Sequence, residues 1–345
     1  MKPAVINVEK SRFETVPSRR KVFMKSKRCS LIVILFALAA AVFCLSCGKK
    51  PASENADKFY NSDNDSLINL DESLIGYYEI EPLPKPEGEV NALHIDRSDK
   101  VYIGSGKAVF IVDTLGAHLN AVALDDTVRS IAVHENGDMY IASQNSINVL
   151  DSAGIKKRSW EAENERTFFT SVAVDGKNIF AADAGDRIVL HFDTTGALLG
   201  RIGGKDTTRG ISGFVIPSAS FDVAIGQDGS LWAANTGYHK LQNFRVNGDL
   251  IYEWGLSGAQ TEAFCGCCNP VHFTILSDGS FVTAEKGFSR VKVYNQAGEF
   301  VTVVAPPSSF KGPKAGLALA AETQGTIYVA DAYEKTIRRF KRKQN

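Results

Sequence analysis

Long membrane-spanning segments, nucleotide-binding loops and the common hydrolase motifs are all missing from this 345-residue chain. The longest apolar run, Leu31 to Ser46, covers sixteen residues, short of the ~20 that cross a bilayer as a helix. No G-x-x-x-x-G-K-[ST] loop is present to cradle phosphates. Nor is there a G-x-S-x-G to expose a serine nucleophile, or an H-E-x-x-H to hold zinc on a helix face. Nucleotide hydrolysis and the common protease chemistries therefore have no sequence support. The C-x-x-C-H signature of covalent haem attachment is missing as well. Histidine is sparse, with six residues; His94, His134, His191 and His239 fall in different parts of the chain and form no cluster.

A basic surplus is also lacking where it would matter. The formal net charge is zero, but residues 1–47 carry nine Lys/Arg against two Asp/Glu. That leaves 30 basic and 37 acidic residues after Cys47, a net charge of −7. Phosphate backbones need a basic face, so nucleic acid is not an expected partner. Lys25, Lys27 and Arg28 precede the apolar run, the order of a secretory signal. Cys44-Leu45-Ser46-Cys47-Gly48 resembles a bacterial lipobox with Cys47 as the lipidated residue, although Cys44 stands where Leu is usual. The expectation is a signal peptide over 1–47, with Met24 as an alternative start, and a body held outside the cytoplasm on a membrane. An uncleaved N-terminal anchor is the competing reading. Residues 48–76 are largely polar, and such a stretch buries too little to offset its ordering entropy; it reads as a tether.

From there on the sequence repeats. Six turn signals lie between apolar, β-branched runs, at Asp99, Gly137, Gly176, Gly229, Gly279 and Gly325, spaced 38, 39, 53, 50 and 46 residues apart. A second set follows each of the first five, at Gly116, Gly154, Gly196, Gly248 and Gly298. Asp-Gly and Asn-Gly pairs supply the positive φ of tight hairpins. Four short strands per unit at this period predict an all-β, six-bladed β-propeller over 77–343. The first strand of each unit alternates in size. Ile95, Val133, Val172, Ile225, Ile275 and Ala321 are set against His94, Ala132, Ser171, Ala224, Thr274 and Ala320, as stacked blades would require. The sixth unit lacks its second turn, so Tyr77 to Leu83 is expected to supply its outer strand and close the ring.

In the last four units the second strand ends in Asp183, Asn235, Glu285 or Asp331. A basic residue follows each, Arg187, Lys240, Arg290 or Lys335. On these residues, and on TIYVADAYEKTIRRF above all, the chain resembles the NHL-repeat family of six-bladed propellers. The resemblance implies a binding or scaffold module. Repetition of the pairs across blades argues that they tie loops rather than perform chemistry.

One stretch interrupts the pattern. FCGCCNPVHF, Phe264 to Phe273, holds Cys265, Cys267, Cys268, Asn269 and His272 just before the first strand of the fifth unit. It resembles a subgroup of extracytoplasmic NHL-like propellers with a Cys-Cys-Asn-Pro motif, and the fold that this implies would put the segment near the mouth of the central channel. Three readings stay open. Three thiolates and an imidazole from Cys265, Cys267, Cys268 and His272 could hold a metal ion, though adjacent cysteines reach one tetrahedral ion with difficulty. Cys265 with Cys268, or Cys267 with Cys268, could exchange electrons outside the cytoplasm, where thiols tend to oxidise. Or the loop is only stapled, by one disulfide beside a buried thiol, with Asn269-Pro270 stiffening it through a cis bond. Asp222 and His272 each stand seven residues before a turn glycine, so a shared register would let the carboxylate orient the imidazole. Glu285 and Arg290 are expected to pair with each other.

The leading functional expectation is a membrane-anchored binding propeller for a protein, peptide or glycan. The candidate binding residues are Asp222, Cys265, Cys267, Cys268, Asn269, His272, Glu285 and Arg290. A metal, cofactor or redox role for the cysteine loop is the alternative, and a hydrolase or lyase ranks third, on fold analogy alone.

Overall fold

The computed structural model describes residues 70–344 apart from 85, 209 and 312–315. The expected signal segment, Cys47 and the tether up to residue 69 lie outside the described residues. The repeats fold into six four-stranded antiparallel sheets spanning 90–123, 130–161, 169–202, 223–254, 272–305 and 319–342. Here they are blades one to six. The first strands of neighbouring blades touch all the way round, the sixth meeting the first, so the chain is a six-bladed β-propeller. These first strands wall a central cavity of about 260 Å³.

The ring is closed by a strand from the N-terminal side. Tyr77–Leu83 pairs antiparallel with Thr336–Arg342, placing Tyr77 opposite Arg342 and Leu83 opposite Ile337. Arg338 fixes this junction with two bonds to the Glu79 carboxylate, 2.7 and 2.6 Å. A bidentate fork of this kind sets register as well as affinity. The residues just before the strand, counted in the expected tether, are fastened to blade five. Thr302 donates to the Leu74 carbonyl at 2.7 Å, and Ile75 bridges Val303.

The size alternation has a directional meaning. Ile95, Val133, Val174, Ile225, Ile275 and Ala321 pack toward the preceding blade. Ala132, Ala173, Ala224 and Ala320 pack toward the following one. The core is thus six apolar slabs, one between each pair of blades. Blade three departs from the expected register. Its hairpin is tight, with Asp175 opposite Asn178, so Val174 rather than Val172 takes the position of Val133 and Ile225. Ser171 in turn becomes the counterpart of Ser130, Asp222 and His272.

The second-turn glycines have a packing role besides their positive φ. A Cβ on Gly196 would lie 2.3 Å from the Trp160 indole nitrogen, and one on Gly298 would lie 2.3 Å from Trp254 Cγ. Each glycine lets the outer tryptophan of the preceding blade cover the turn. Trp254 is buried there among Phe264, Phe281 and Tyr294, with ring centroids 6.1, 5.2 and 4.8 Å away.

Candidate functional site

Asp222 immediately precedes the first strand of blade four, Val223–Ile225, and its carboxylate is shared among three blades. Oδ1 accepts from Ser171 Oγ at 2.6 Å and from the Val223 amide at 3.0 Å. Oδ2 accepts from the Phe273 amide at 3.0 Å and from His272 Nδ1 at 3.3 Å. The motif recurs in the two preceding blades. Ser130 accepts from the Val172 amide at 3.1 Å, and Ser171 from the Val223 amide at 3.3 Å. A polar side chain at the start of the inner strand thus ties down the next one from blade two to three, three to four and four to five. The expected Asp222–His272 proximity is present, and its setting is a structural layer. Four donors use the four lone-pair positions of the Asp222 carboxylate, which leaves it none for a metal or a substrate proton. With Nδ1 engaged, His272 has Nε2 left to present to the cavity it lines.

The opposite wall of the cavity carries Arg129, from blade two. Its guanidinium sits 4.2 Å over the Phe168 ring, and its Nε is buried without a hydrogen-bond partner. Desolvation lowers its pKa from the ordinary arginine value. His94 lines the same cavity, and burial pushes its imidazole down to about 4, against a smaller opposing pull from Asp96. The channel is therefore polar, with one cation poorly supplied with partners.

The cysteine turn is clamped by Asn269. This buried side chain accepts from the Lys286 amide at 2.9 Å and donates to the Lys286 carbonyl at 3.0 Å and to the Cys265 carbonyl. The Asn269–Pro270 bond is cis, as in the stapled reading, but the disulfide of that reading is not formed. All three cysteines are free: Cys267 exposed, Cys268 buried, Cys265 between the two. Cys267 Sγ and Cys268 Sγ lie 3.2 Å apart. Burial alone would push the Cys268 thiol up. Hydrogen bonds from Cys267, Lys286 and Ser218, with the Lys286 charge, outweigh it and hold the thiol below its ordinary value. Cys267 shifts upward, because its hydrogen bond to Cys268 and the charge there favour its protonated form. Lys286 Nζ also donates to Ser218 Oγ at 2.7 Å.

The four prospective metal ligands do not converge. His272 joins the Asp222 layer in the channel wall, whereas Cys267 and Cys268 turn toward Lys286 and Ser218. Among the described residues no group of three His, Cys, Asp or Glu is placed to hold a metal ion. The chain between them explains the separation: Pro270 and Val271 are buried, and the Val271 amide is bonded to the Ala284 carbonyl.

Glu285 and Arg290 pair as expected, Arg290 Nε to Glu285 Oε1 at 2.7 Å, with both side chains fully buried. Lys292, equally buried, joins the same oxygen at 2.9 Å. Two cations face one anion, so desolvation dominates and lowers Lys292 to about 8. Glu285 Oε2 accepts from the Cys265 amide at 2.8 Å, while Arg290 and Lys292 each donate to the Ala263 carbonyl at 2.7 Å. The triad thus fastens the segment leading into the cysteine turn. Asp183 and Asn235 do the same for their own blades, accepting from the Phe168 and Val215 amides at 2.9 Å. The basic partners are less uniform than the sequence suggested. Arg187 and Lys335 occupy left-handed backbone positions, and Lys240 bonds Glu253 of the outer strand. Gly104 of blade one could not carry a side chain, since a Cβ there would meet Val128 at 2.5 Å.

No family profile matches the sequence, and no curated protein matches it. Solved structures do match in shape. A structural-genomics protein of unknown function from Bacteroides thetaiotaomicron superposes with a TM-score of 0.56 at 13% identity, over 80% of this chain and 74% of that one. The WD40 propeller domain of Doa1 gives 0.54 at 12%, over 78% and 98%. A catalytically inactive virginiamycin B lyase from Staphylococcus aureus, solved with quinupristin, gives 0.52 at 13%, over 76% and 98%. The likeness is one of fold alone.

Arg129, Ser130, Ser171, Ser218 and Lys286 did not stand out in the sequence. Ser130 carried a readable signal, seven residues before Gly137 as Asp222 is before Gly229. Ser171 was hidden by the tight hairpin of blade three. The long spacings of 53 and 50 residues marked the two connections that bring Ser218 to the cysteine turn, but not the contact itself.

Proposed function

We propose that the chain is a non-catalytic NHL-type binding propeller, held outside the cytoplasm by a lipid on Cys47, which takes a protein, peptide or glycan at the channel end walled by Arg129 and His272. The observation that carries the reading is the saturation of Asp222. Its carboxylate is the one placed to act on or through His272, and all of its acceptor capacity is spent joining blades three, four and five. What remains for a ligand is recognition chemistry: an under-bonded guanidinium, an oriented imidazole nitrogen and polar walls. The mature charge of −7 turns the expectation away from nucleic acid. A likeness in fold to a lyase adds no catalytic residue to this account.

The test has two arms. Cell fractionation of the intact chain is expected to find it with membranes and to find Cys47→Ser released from them. Glycan and peptide arrays probed with wild-type protein are expected to give saturable binding that falls at least tenfold in Arg129→Ala and His272→Leu. Binding indifferent to both substitutions would overturn the channel assignment, and unchanged membrane association of Cys47→Ser would overturn the anchor.

A further inference from the structure

The Cys267–Cys268 pair is not used by the channel reading, and its geometry is selective. At 3.2 Å the two sulfurs are too far apart to be bonded, since a disulfide holds them at 2.03–2.05 Å. They are too close for tetrahedral zinc, whose ~2.3 Å bonds to sulfur set two thiolates roughly 3.8 Å apart. A linear two-coordinate ion would spread them further still. One bridging centre suits a short bite without help from other protein ligands: a trivalent, pyramidal atom with bond angles near a right angle. Such a centre needs two sulfurs, and its third bond goes to a substituent of its own.

The surroundings favour that use. Cys267 is exposed and open to an incoming compound, while Cys268 is buried and anchored. Asn269 fixes the turn through both strands of its clamp, so the pair meets its ligand already arranged. Lys286, bonded to Ser218 at 2.7 Å, stands beside the inner sulfur, and its charge favours the thiolate. Among the described residues no third thiolate or imidazole completes a metal-binding group there, so the site offers two soft donors.

We infer that Cys267 and Cys268 form a chelating site for trivalent arsenical or antimonial compounds, separate from the channel. Binding is a condensation. A monosubstituted arsenous acid, R–As(OH)2, exchanges its two As–O bonds for two As–S bonds. Both thiol protons leave with the two hydroxides as two molecules of water. Arsenic stays trivalent, and no oxidant or reductant is required.

The experiment uses the intact chain with serine at Cys29, Cys44 and Cys47, so that the three thiols of the turn alone remain. The protein is reduced with a phosphine, exchanged under nitrogen and exposed to one equivalent of phenylarsine oxide. Intact mass spectrometry is expected to show one adduct, with two of three thiols protected from a disulfide reagent. Cys265→Ser should keep the adduct; Cys267→Ser and Cys268→Ser should each lose it while retaining the wild-type circular dichroism and urea midpoint. Equimolar zinc should protect no thiol. Absence of the adduct, its persistence in either single variant, a need for Cys265, or equal protection by zinc would each overturn the inference. None of these results bears on binding at Arg129 and His272, so the two proposals fail separately.

Discussion

Asp222 Oδ2 accepts the backbone amide of Phe273 across the boundary between blades four and five at 3.0 Å, while its other oxygen accepts from Ser171 of blade three at 2.6 Å. One carboxylate thus joins three blades at the wall of the channel. Burying a carboxylate is costly unless its lone pairs are satisfied, and this one is satisfied in full. The same bonds orient His272, so a structural layer doubles as the support of a candidate binding group.

Removing that carboxylate should therefore cost more stability than removing the imidazole it orients. Asp222→Ala leaves the Phe273 amide and the Ser171 hydroxyl without their acceptor, and a buried donor without a partner costs about 1–3 kcal/mol. The expected loss is of order 3 kcal/mol, against less than about 1 kcal/mol for the half-buried His272→Leu. Urea unfolding of both variants measures the difference. Equal losses would mean that the layer does not tie the blades.

The buried triad of blade five makes a second prediction. Glu285→Gln strands two buried cations and should cost about 3–5 kcal/mol. Adding Lys292→Met to that background should restore part of the loss, because one stranded charge is removed. Thermal or urea unfolding of the two single variants and the double variant gives the coupling; strict additivity would contradict the shared carboxylate.

Lys292 also sets a pH dependence. Held at about 8 in the folded chain, it lies below its ordinary value of 10.5. Between those values the unfolded chain binds more protons at this site than the folded one. Its contribution to stability therefore grows as pH rises from about 8 toward 10.5 and is lost as pH falls back. The unfolding free energy of wild type relative to Lys292→Met is expected to increase over that window, by up to about 3 kcal/mol at ~1.4 kcal/mol per unit. A difference that stays flat with pH would show that the lysine titrates normally.

Two turn glycines separate conformation from packing. Gly298 and Gly325 have nearly the same φ, +79° and +83°, but a Cβ at Gly298 would press into Trp254 while one at Gly325 would meet nothing within 4 Å. Alanine at either should carry the left-handed strain of about 1–2 kcal/mol. Only Gly298→Ala should add an overpacking cost of about 1–3 kcal/mol. Matched losses would rule out the glycine–tryptophan contact as a stabilising feature.

The ring was largely legible in the chain because it depends on short-range signals. Glycine corners and alternating strands report blade number and even the borrowed strand Tyr77–Leu83. The channel and turn were less legible, because their partners are contributed across blades. Asp222 and His272 could be paired through a shared distance to their turn glycines. Ser218 and Lys286 could not, being 68 residues apart, one in the irregular connection between blades three and four and the other just after the second strand of blade five. The metal set Cys265, Cys267, Cys268 and His272 looked compact on paper. It separates in space because the chain enters its strand through buried Pro270 and Val271, which sends His272 to the channel and the thiols to the rim.

The central claim, that the channel end recognises a ligand without transforming it, is tested most directly by the fate of that ligand. The array-selected glycan or peptide would be incubated with a molar excess of wild-type protein, then recovered and analysed by mass spectrometry. The account predicts saturable binding, lost in Arg129→Ala, with the ligand recovered chemically intact. Conversion of the ligand by wild type, abolished in His272→Leu, would contradict it.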